Sequence, residues 1–364
     1  MTDAATTHSP VMLAELDTNS GQRIGIIRLN QPKALNALSL EMIRLIQPQL
    51  ERWAGDDQVV AVWLEGEGDK AFCAGGDVVA LYRSMTEART SDAGASLGEQ
   101  FFTEEYALDY TLHTYPKPVI VWGNGIVMGG GLGLLAAGSH RVVTETARIA
   151  MPEVTIGLYP DVGGSWFLNR MPGRSGLFLG LTGASVNASD ALYTGLADRF
   201  ITHDQRDAVL AALKAADWSQ PAGVVIGSCL RWFEHQSQDQ RPPEVVRAHY
   251  DIIQQLTDAD TLADVVDQIT GYQGDEPWLQ KAAATLAAGS PTTMAIVWAQ
   301  THQLRYAGLR EVFDTELKIS LNCLTKGEFA EGVRALLIDK DKQPRWRYPN
   351  VESLDPAWVA GFFE

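Results

Sequence analysis

Two glycine clusters and two carboxylates are the residues whose types and spacing best suit a reaction. KAFCAGGD at 70–77 sets Gly75 and Gly76 behind a strand-like run, and GIVMGGGLG at 125–133 sets Gly129, Gly130 and Gly131 at a predicted helix start. Consecutive glycines leave backbone N–H groups uncovered, and a helix start adds unpaired donors at the positive end of its dipole. One such loop is ordinarily a turn or a packing device. Two of them can aim N–H groups at a single carbonyl oxygen, which is how an oxyanion is stabilised. Downstream, MPEVTIGLYPDVGGSWFLNR at 151–170 places Glu153 and Asp161 among Pro, Gly and apolar residues. Such surroundings tune carboxylates toward acid, base or nucleophilic work, although Asp161, between Pro160 and Gly163, equally suits a turn. Glu104 and Glu105, in FFTEEYALDY at 101–110, fall on a predicted helix, where solvated surface charge is the ordinary reading.

Other matches lack the context their chemistry needs. Gly131, Gly133 and Ala136 fit a dinucleotide fingerprint with Glu153 about 20 residues on, but Glu153 sits in a loop-like stretch rather than at a strand end. Gly94, Ser96 and Gly98 fit a nucleophile elbow, yet no strand precedes the serine in EARTSDAGASLGEQ, so a surface loop is expected. The seven histidines show no ligand spacing, and Cys73, Cys229 and Cys323 lie far apart. Neither a metal nor a disulfide framework is expected, and a reducing compartment fits.

The elements that would position these residues alternate along the first half of the chain. RIGIIRL at 23–29 and VVAVWL at 59–64 are β-branched runs, and between them Ile43, Ile46, Leu50 and Trp53 recur at helical spacing behind a Ser39 cap. Residues 118–138 carry no charge but hold Asn124 and seven glycines, which predicts a buried strand, a glycine loop and a buried helix rather than a membrane span. A mostly parallel sheet covered by helices follows. From Asp217 onward helical patterns take over, with a polar stretch at 236–244, Leu262, Val265, Val266 and Ile269 on one face, and a Ser290-Pro291 helix start. The chain's 364 residues allow a large domain and a smaller one, and 29 Lys and Arg against 45 Asp and Glu argue against a nucleic-acid or anionic membrane surface. The N-terminal MTDAATTHSP has no signal or transit pattern, so a cytoplasmic location is expected.

Taken together, LNQPKALNAL at 29–38, KAFCAGGD, KPVIVWGNGIVMGGG at 117–131, MPE with IGLYPDVGG, and LTGASVNASDALYTGLAD at 181–198 resemble the enoyl-CoA hydratase/isomerase, or crotonase, superfamily. The resemblance implies an α/β fold: a spiral of ββα units over residues 10–215 that binds a CoA thioester, with an extended helical region at 216–364. It implies an oxyanion hole from the N–H groups of Gly76 and Gly130. It also places Lys33, Ala34, Leu35, Ala71, Ala74, Gly76, Asp77 and Val78 near CoA. Hydratases of this superfamily carry two glutamates, one of them two residues after the GGG, where this chain has Gly133. GGGLGL, MPE, IGLYPDVGG and FAEGVRALLIDKDKQPRW at 329–346 are instead similar to 3-hydroxyisobutyryl-CoA hydrolases. That implies hydrolysis of 3-hydroxyisobutyryl-CoA in valine catabolism, with substrate contacts at Glu105, Gly130, Glu153 and Asp161. Glu153 would attack the thioester or activate water, and Asp161 would orient the substrate hydroxyl or the water. No cofactor is expected beyond the CoA of the substrate, and a homo-oligomer is compatible with the superfamily. The rivals are a hydratase or isomerase with Glu153 as sole base, and a non-catalytic acyl-CoA-binding protein.

Overall fold

The computed structural model describes residues 9–88 and 96–364. Most of the N-terminal stretch read for targeting signals, and Gly94 and Ala95 of the elbow match, lie outside them. β1 (Val11–Asp17) and β2 (Arg23–Leu29) pair antiparallel, and β2 then pairs in parallel with β3 (Val59–Gly66). β3 is followed by β4 (Ala71–Cys73), β5 (Val119–Gly123) by β6 (Ile126–Met128), and β7 (His140–Val143) by β8 (Arg148–Ala150), before the short β9 (Arg199–Phe200). The first member of each pair joins a six-stranded sheet in the order β1-β2-β3-β5-β7-β9, and the second joins a parallel sheet in the order β4-β6-β8. The chain therefore winds as a spiral, each turn laying one strand in each sheet. Its turns share a hydrophobic pattern rather than identical residues, which is why the sequence shows no repeat.

Strand alternation builds both faces of the large sheet. Val62, Leu64, Val119 and Val121 point into the main core, whereas Ala61, Trp63, Ile120 and Trp122 point to the other side. α1 (Leu40–Ala54) starts at Ser39, whose side chain accepts the Met42 N–H, and buries Ile43, Ile46, Leu50 and Trp53. α2 (Val78–Ala88) and α3 (Leu97–His113) follow β4. The uncharged stretch resolves into β5, β6 and α4 (Gly130–Ala137), whose residues are all buried. Among the described residues no helix is long and apolar enough to cross a membrane.

Beyond β8, α5 (Gly164–Leu168), α6 (Ser175–Thr182) and α7 (Ala188–Thr194) lead to β9. α8 (Arg206–Ala215) and α9 (Ala222–Ser237) cover the outer face of the sheet through Val209, Leu213, Ile226 and Leu230. The later helices are α10 (Tyr250–Leu256), α11 (Leu262–Thr270), α12 (Pro277–Ala288), α13 (Pro291–Gln303), α14 (Leu309–Thr325) and α15 (Phe329–Val333). They share the main core rather than building their own, since Phe313, Ile319 and Phe329 cluster with Phe101, Phe102 and Tyr106 of α3. α14 lies along α3, and that contact completes the site described next.

Candidate active site

A cavity of about 290 Å³ opens between the two glycine loops, α3 and the 152–161 segment. Its walls are largely apolar: Leu81, Phe101, Phe102, Met128, Ile156, Leu158 and Phe329, with Leu336 and Leu337 at one side. Ala74, Gly75 and Gly76 supply one edge, and Gly129 and Gly130 the other. Among the described residues neither the Gly76 nor the Gly130 N–H has a backbone or side-chain acceptor. For Gly130 the cause is its place in the first helical turn, where no preceding carbonyl is available. The two loops nearly touch, because a Cβ on Gly130 would stand 3.5 Å from the Gly76 nitrogen and 2.5 Å from Glu105 Oε1. Any larger residue at 130 would block the opening between the two donors. Gly129 has φ +50, a backbone that glycine adopts without penalty, and a Cβ there would lie 2.9 Å from Glu153 Oε1.

Four carboxyl groups crowd this end of the cavity. Glu105, Glu153 and Asp161 line it and are almost fully buried, and Asp109, one helical turn beyond Glu105, is sealed from solvent. Glu153 starts a 3-10 turn (Glu153–Thr155) after Pro152, and its Oε2 is enclosed without a partner among the described residues. Burial pushes its carboxyl well above the usual range, and the neighbouring Asp161 adds to the shift. Burial also raises Asp161, to about 6, opposed by the hydroxyl of Tyr106, which donates to Asp161 Oδ2 at 2.6 Å. Glu105 is driven upward by burial and by the charges of Asp109, Asp161 and Glu153. The environments separate Glu153 from Asp161: burial lifts Glu153 well above its usual range and Asp161 only to about 6, so a proton shared by the pair sits preferentially on Glu153.

Asp161 is held from three sides. It precedes Val162, a β-branched residue at φ +51, which is a costly backbone for such a side chain. Val162 fits there because residue 133 is glycine, since a Cβ on Gly133 would stand 2.6 Å from Val162 Cβ. From α14, Glu316 accepts the N–H groups of Gly163 (2.7 Å) and Ser165 (2.8 Å), clamping the turn after Asp161. Burial lifts Glu316 to about 8 in spite of these bonds. Ser320, one turn on, has its hydroxyl 2.6 Å from that of Tyr106 and 2.9 Å from that of Tyr159, which lies 2.5 Å from the Glu316 carbonyl oxygen. While Asp161 is ionised, three hydroxyl hydrogens face four short contacts. A proton on Asp161 supplies the fourth, every hydroxyl then donating toward Glu316. Tyr106, Tyr159, Glu316 and Ser320 escape sequence reasoning, because Tyr106 and Ser320 are 214 positions apart and no local pattern joins them.

The remaining predicted residues are distributed unevenly. Ala74, Gly76 and Val78 line the cavity. Ala34 and Asp77 line an adjoining depression with Ser39, Glu41 and Leu97, and the two share Leu81 and Phe101 as a common wall. Leu35, at φ +53, accepts the Ala74 N–H at 3.1 Å and so ties the 31–36 loop to the first glycine loop. Asn36, buried, reinforces that tie by donating to the Ala71 and Glu67 carbonyls. Ala71 itself is buried inside β4, and Lys33 projects from an exposed turn, so neither lines the cavity or the depression. Glu104 and Glu105 part ways on α3: Glu104 pairs with Arg44 at the surface, whereas Glu105 enters the cavity. Cys73 is buried, and burial pushes its thiol up to about 12, out of reach of nucleophilic use at neutral pH. Among the described residues no cluster of His, Cys, Asp and Glu has the arrangement of a metal site.

A mostly parallel six-stranded sheet interleaved with a parallel three-stranded one in a spiral, with paired glycines lining a largely apolar cavity, defines a crotonase-type fold. The chain belongs to the enoyl-CoA hydratase/isomerase family, whose model matches residues 24–363. Among curated relatives, the mitochondrial 3-hydroxyisobutyryl-CoA hydrolase of Danio rerio is 40% identical over 338 residues, covering 93% of this chain and 86% of its own length. The Homo sapiens protein of the same name is 37% identical, covering 91% and 83%. Of solved structures, an enoyl-CoA hydratase from Rhodobacter sphaeroides aligns with a TM-score of 0.83 at 35% identity, covering 98% of this chain and 97% of its own. A carnitinyl-CoA dehydratase from Mycobacterium thermoresistibile aligns at 0.85 and 32%, with the same coverage. The cytoplasmic location expected from the N-terminus is overturned by the curated relatives, which are named as mitochondrial enzymes.

Proposed function

We propose that this protein is a thioester hydrolase that converts 3-hydroxyisobutyryl-CoA to 3-hydroxyisobutyrate and free CoA. The observation that carries the reading is the pair of glycines, Gly76 and Gly130, whose N–H groups have no acceptor among the described residues and which line one cavity with the buried Glu153 and Asp161. Curated relatives at 35–40% identity over more than nine-tenths of the chain carry that activity in their names. In this reading the thioester carbonyl oxygen sits between the two N–H groups, which hold the negative charge of each tetrahedral intermediate at a cost of about 3–4 kcal/mol if either donor is lost. The CoA chain leaves through the Leu81 and Phe101 side toward the depression lined by Ala34 and Asp77. Gly130, Glu105, Glu153 and Asp161 border the acyl group. Breakdown of valine is the metabolic setting proposed for this substrate.

Glu153 must give up its proton before it can act, and Asp161, ionised near pH 6, is the acceptor. The freed Glu153 carboxylate either attacks the thioester carbon, giving an acyl anhydride that water then opens, or removes a proton from water that attacks directly. In both routes Asp161, now protonated and held by the Tyr106 hydroxyl, returns a proton to the departing CoA sulfur. Active enzyme thus carries one proton on the Glu153–Asp161 pair, and its rate falls at low pH as the second proton binds.

The test is release of free CoA from 3-hydroxyisobutyryl-CoA, followed with a thiol reagent. The parent releases thiol, and Glu153→Gln and Asp161→Asn each cut kcat/KM by about a hundredfold or more. A hydratase reading has in its favour the names of the two structural neighbours and the carboxyl of Asp109 beside Gly133. Crotonyl-CoA separates the two: loss of its conjugated absorbance with no free thiol from either substrate decides for hydration.

A further inference from the structure

Hydrolysis at an enclosed site leaves a proton that has to reach solvent. In net terms, by either route, one water is consumed, the C–S bond breaks, the acyl carbon gains a hydroxyl and the sulfur gains a hydrogen. The carboxylic acid formed ionises at neutral pH, so one proton per turnover must leave a cavity whose mouth is filled by the CoA chain. The hydrogen-bonded hydroxyls of Tyr106, Ser320 and Tyr159 offer no exit, because they end on the buried carbonyl of Glu316.

α3 carries a second line of groups. Glu105, Asp109 and His113 recur every four residues, so they lie along one face. That face meets α4 and the 161–164 turn: Glu105 faces Gly130, Asp109 Oδ2 would be 3.3 Å from a Cβ on Gly133, and His113 Nε2 would be 3.7 Å from one on Gly163. Asp109 is fully buried, and among the described residues neither of its oxygens has a protein partner. His113 Nε2 is likewise enclosed and without a partner among the described residues, while its ring packs on Phe313 and the next residue, Thr114, is exposed. Leaving a buried carboxyl unsatisfied is costly, and a leucine of similar shape would suit a merely structural role better.

Resting on the hydrolase reading, we infer that Glu105, Asp109 and His113 form a proton path from the reaction cavity along α3 to the protein's flank. Successive members are about 6 Å apart along the helix, the span of two hydrogen bonds through one water molecule. A carboxyl that both gives and takes a proton, followed by a neutral imidazole with one donor and one acceptor nitrogen, is the chemistry such a relay requires. The surroundings keep both in those forms. Burial, then the neighbouring Asp161 and Glu316 carboxyls, push the Asp109 carboxyl well above its usual range, and burial with the positive charge of Arg141 pushes His113 down to about 4.

The experiment measures CoA release by the full chain and by Asp109→Asn, Asp109→Leu and His113→Gln, with and without added imidazole or formate as small proton carriers. The expected result is a kcat lowered by about tenfold or more with KM retained, less than the loss for a residue acting on substrate, and recovered saturably by the carriers. A solvent deuterium isotope effect larger than the parent's accompanies it, and Asp109→Leu melts at a higher temperature than the parent. Unchanged kcat in Asp109→Asn and His113→Gln overturns the path, as does a loss that neither carrier restores. His113→Gln, at the half-buried end, decides the matter if the Asp109 variants fail to fold. A parent that releases no thiol overturns the hydrolase reading and the path with it, whereas a fully active parent with indifferent variants overturns the path alone.

Discussion

Removing the Tyr106 hydroxyl tests how Asp161 is tuned. Tyr106→Phe keeps the ring in its packing against Phe102 and Phe313 and leaves Ser320 its contact with Tyr159. What is lost is the bond to Asp161 Oδ2 at 2.6 Å and the contact with the Ser320 hydroxyl at 2.6 Å, of which the first acts on Asp161 directly. A hydrogen bond to an ionised carboxylate is worth about 1.5–3 kcal/mol, and the ordinary one that protonated Asp161 makes with the same hydroxyl about 0.5–1.5. The difference, about 1–1.5 kcal/mol, favours the charged form and corresponds to about one pH unit. Asp161, at about 6 in the parent, therefore titrates about one unit higher in the variant. Activity needs Asp161 ionised, so raising its pKa moves the acidic limb of kcat/KM upward. Below that limb the variant is about tenfold slower, and on the plateau the two enzymes match. The assay is thiol release across pH with buffers of constant ionic strength. An acidic limb that stays in place or moves down refutes the reasoning. So does a uniform loss at every pH, which would make Tyr106 a packing residue only.

Three further outcomes follow from the same geometry. Glu316 binds its proton more tightly folded than unfolded, so its contribution to stability is complete below about 4.5 and is lost as pH rises to about 8. Glu316 alone adds about 1.4 kcal/mol per pH unit to the loss of stability across that window, and Glu316→Gln is expected to make the slope shallower by that amount when urea midpoints are compared at several pH values. Gly133→Ala puts a methyl 2.6 Å from Val162 Cβ, so it lowers stability by about 1–3 kcal/mol and slows thiol release by displacing Asp161; parent-like values in both measurements would remove Val162 from the positioning of Asp161. In a single turnover in ¹⁸O-labelled water, label found in Glu153 by peptide mass spectrometry marks an anhydride that water opens at the Glu153 carbonyl carbon, and unlabelled Glu153 after complete turnover excludes that step and places the attack of water on the acyl carbon.

Much of the architecture is legible from the chain because its signals are local. The β2, β3 and β5 runs, the Ser39 cap of α1 and the Ser290 cap of α13 each rest on residues within a few positions of one another. The glycine loops are legible for the same reason, since open N–H groups at a helix start are a property of consecutive glycines and their own backbone. Glu104 and Glu105 mark the limit. Adjacent residues on a helix point about 100° apart, and only the packing of α3 decides that Glu104 meets Arg44 outside while Glu105 enters the cavity. Gly133 is similar: the chain tells that a carboxylate is missing there, and the fold tells that Val162 occupies the space.

The sequence by itself thus determined the central strands of the large sheet and the two glycine loops, while the spiral and the placing of Glu153 and Asp161 beside those loops came as expectations from the family resemblance. Tertiary structure alone decided which carboxyl holds the proton. That choice depends on burial from all sides, on a hydroxyl donated by Tyr106, and on Glu316 and Ser320 arriving from α14. A pKa is set by everything within a few ångströms in space, and the groups that matter here come from segments more than two hundred residues apart.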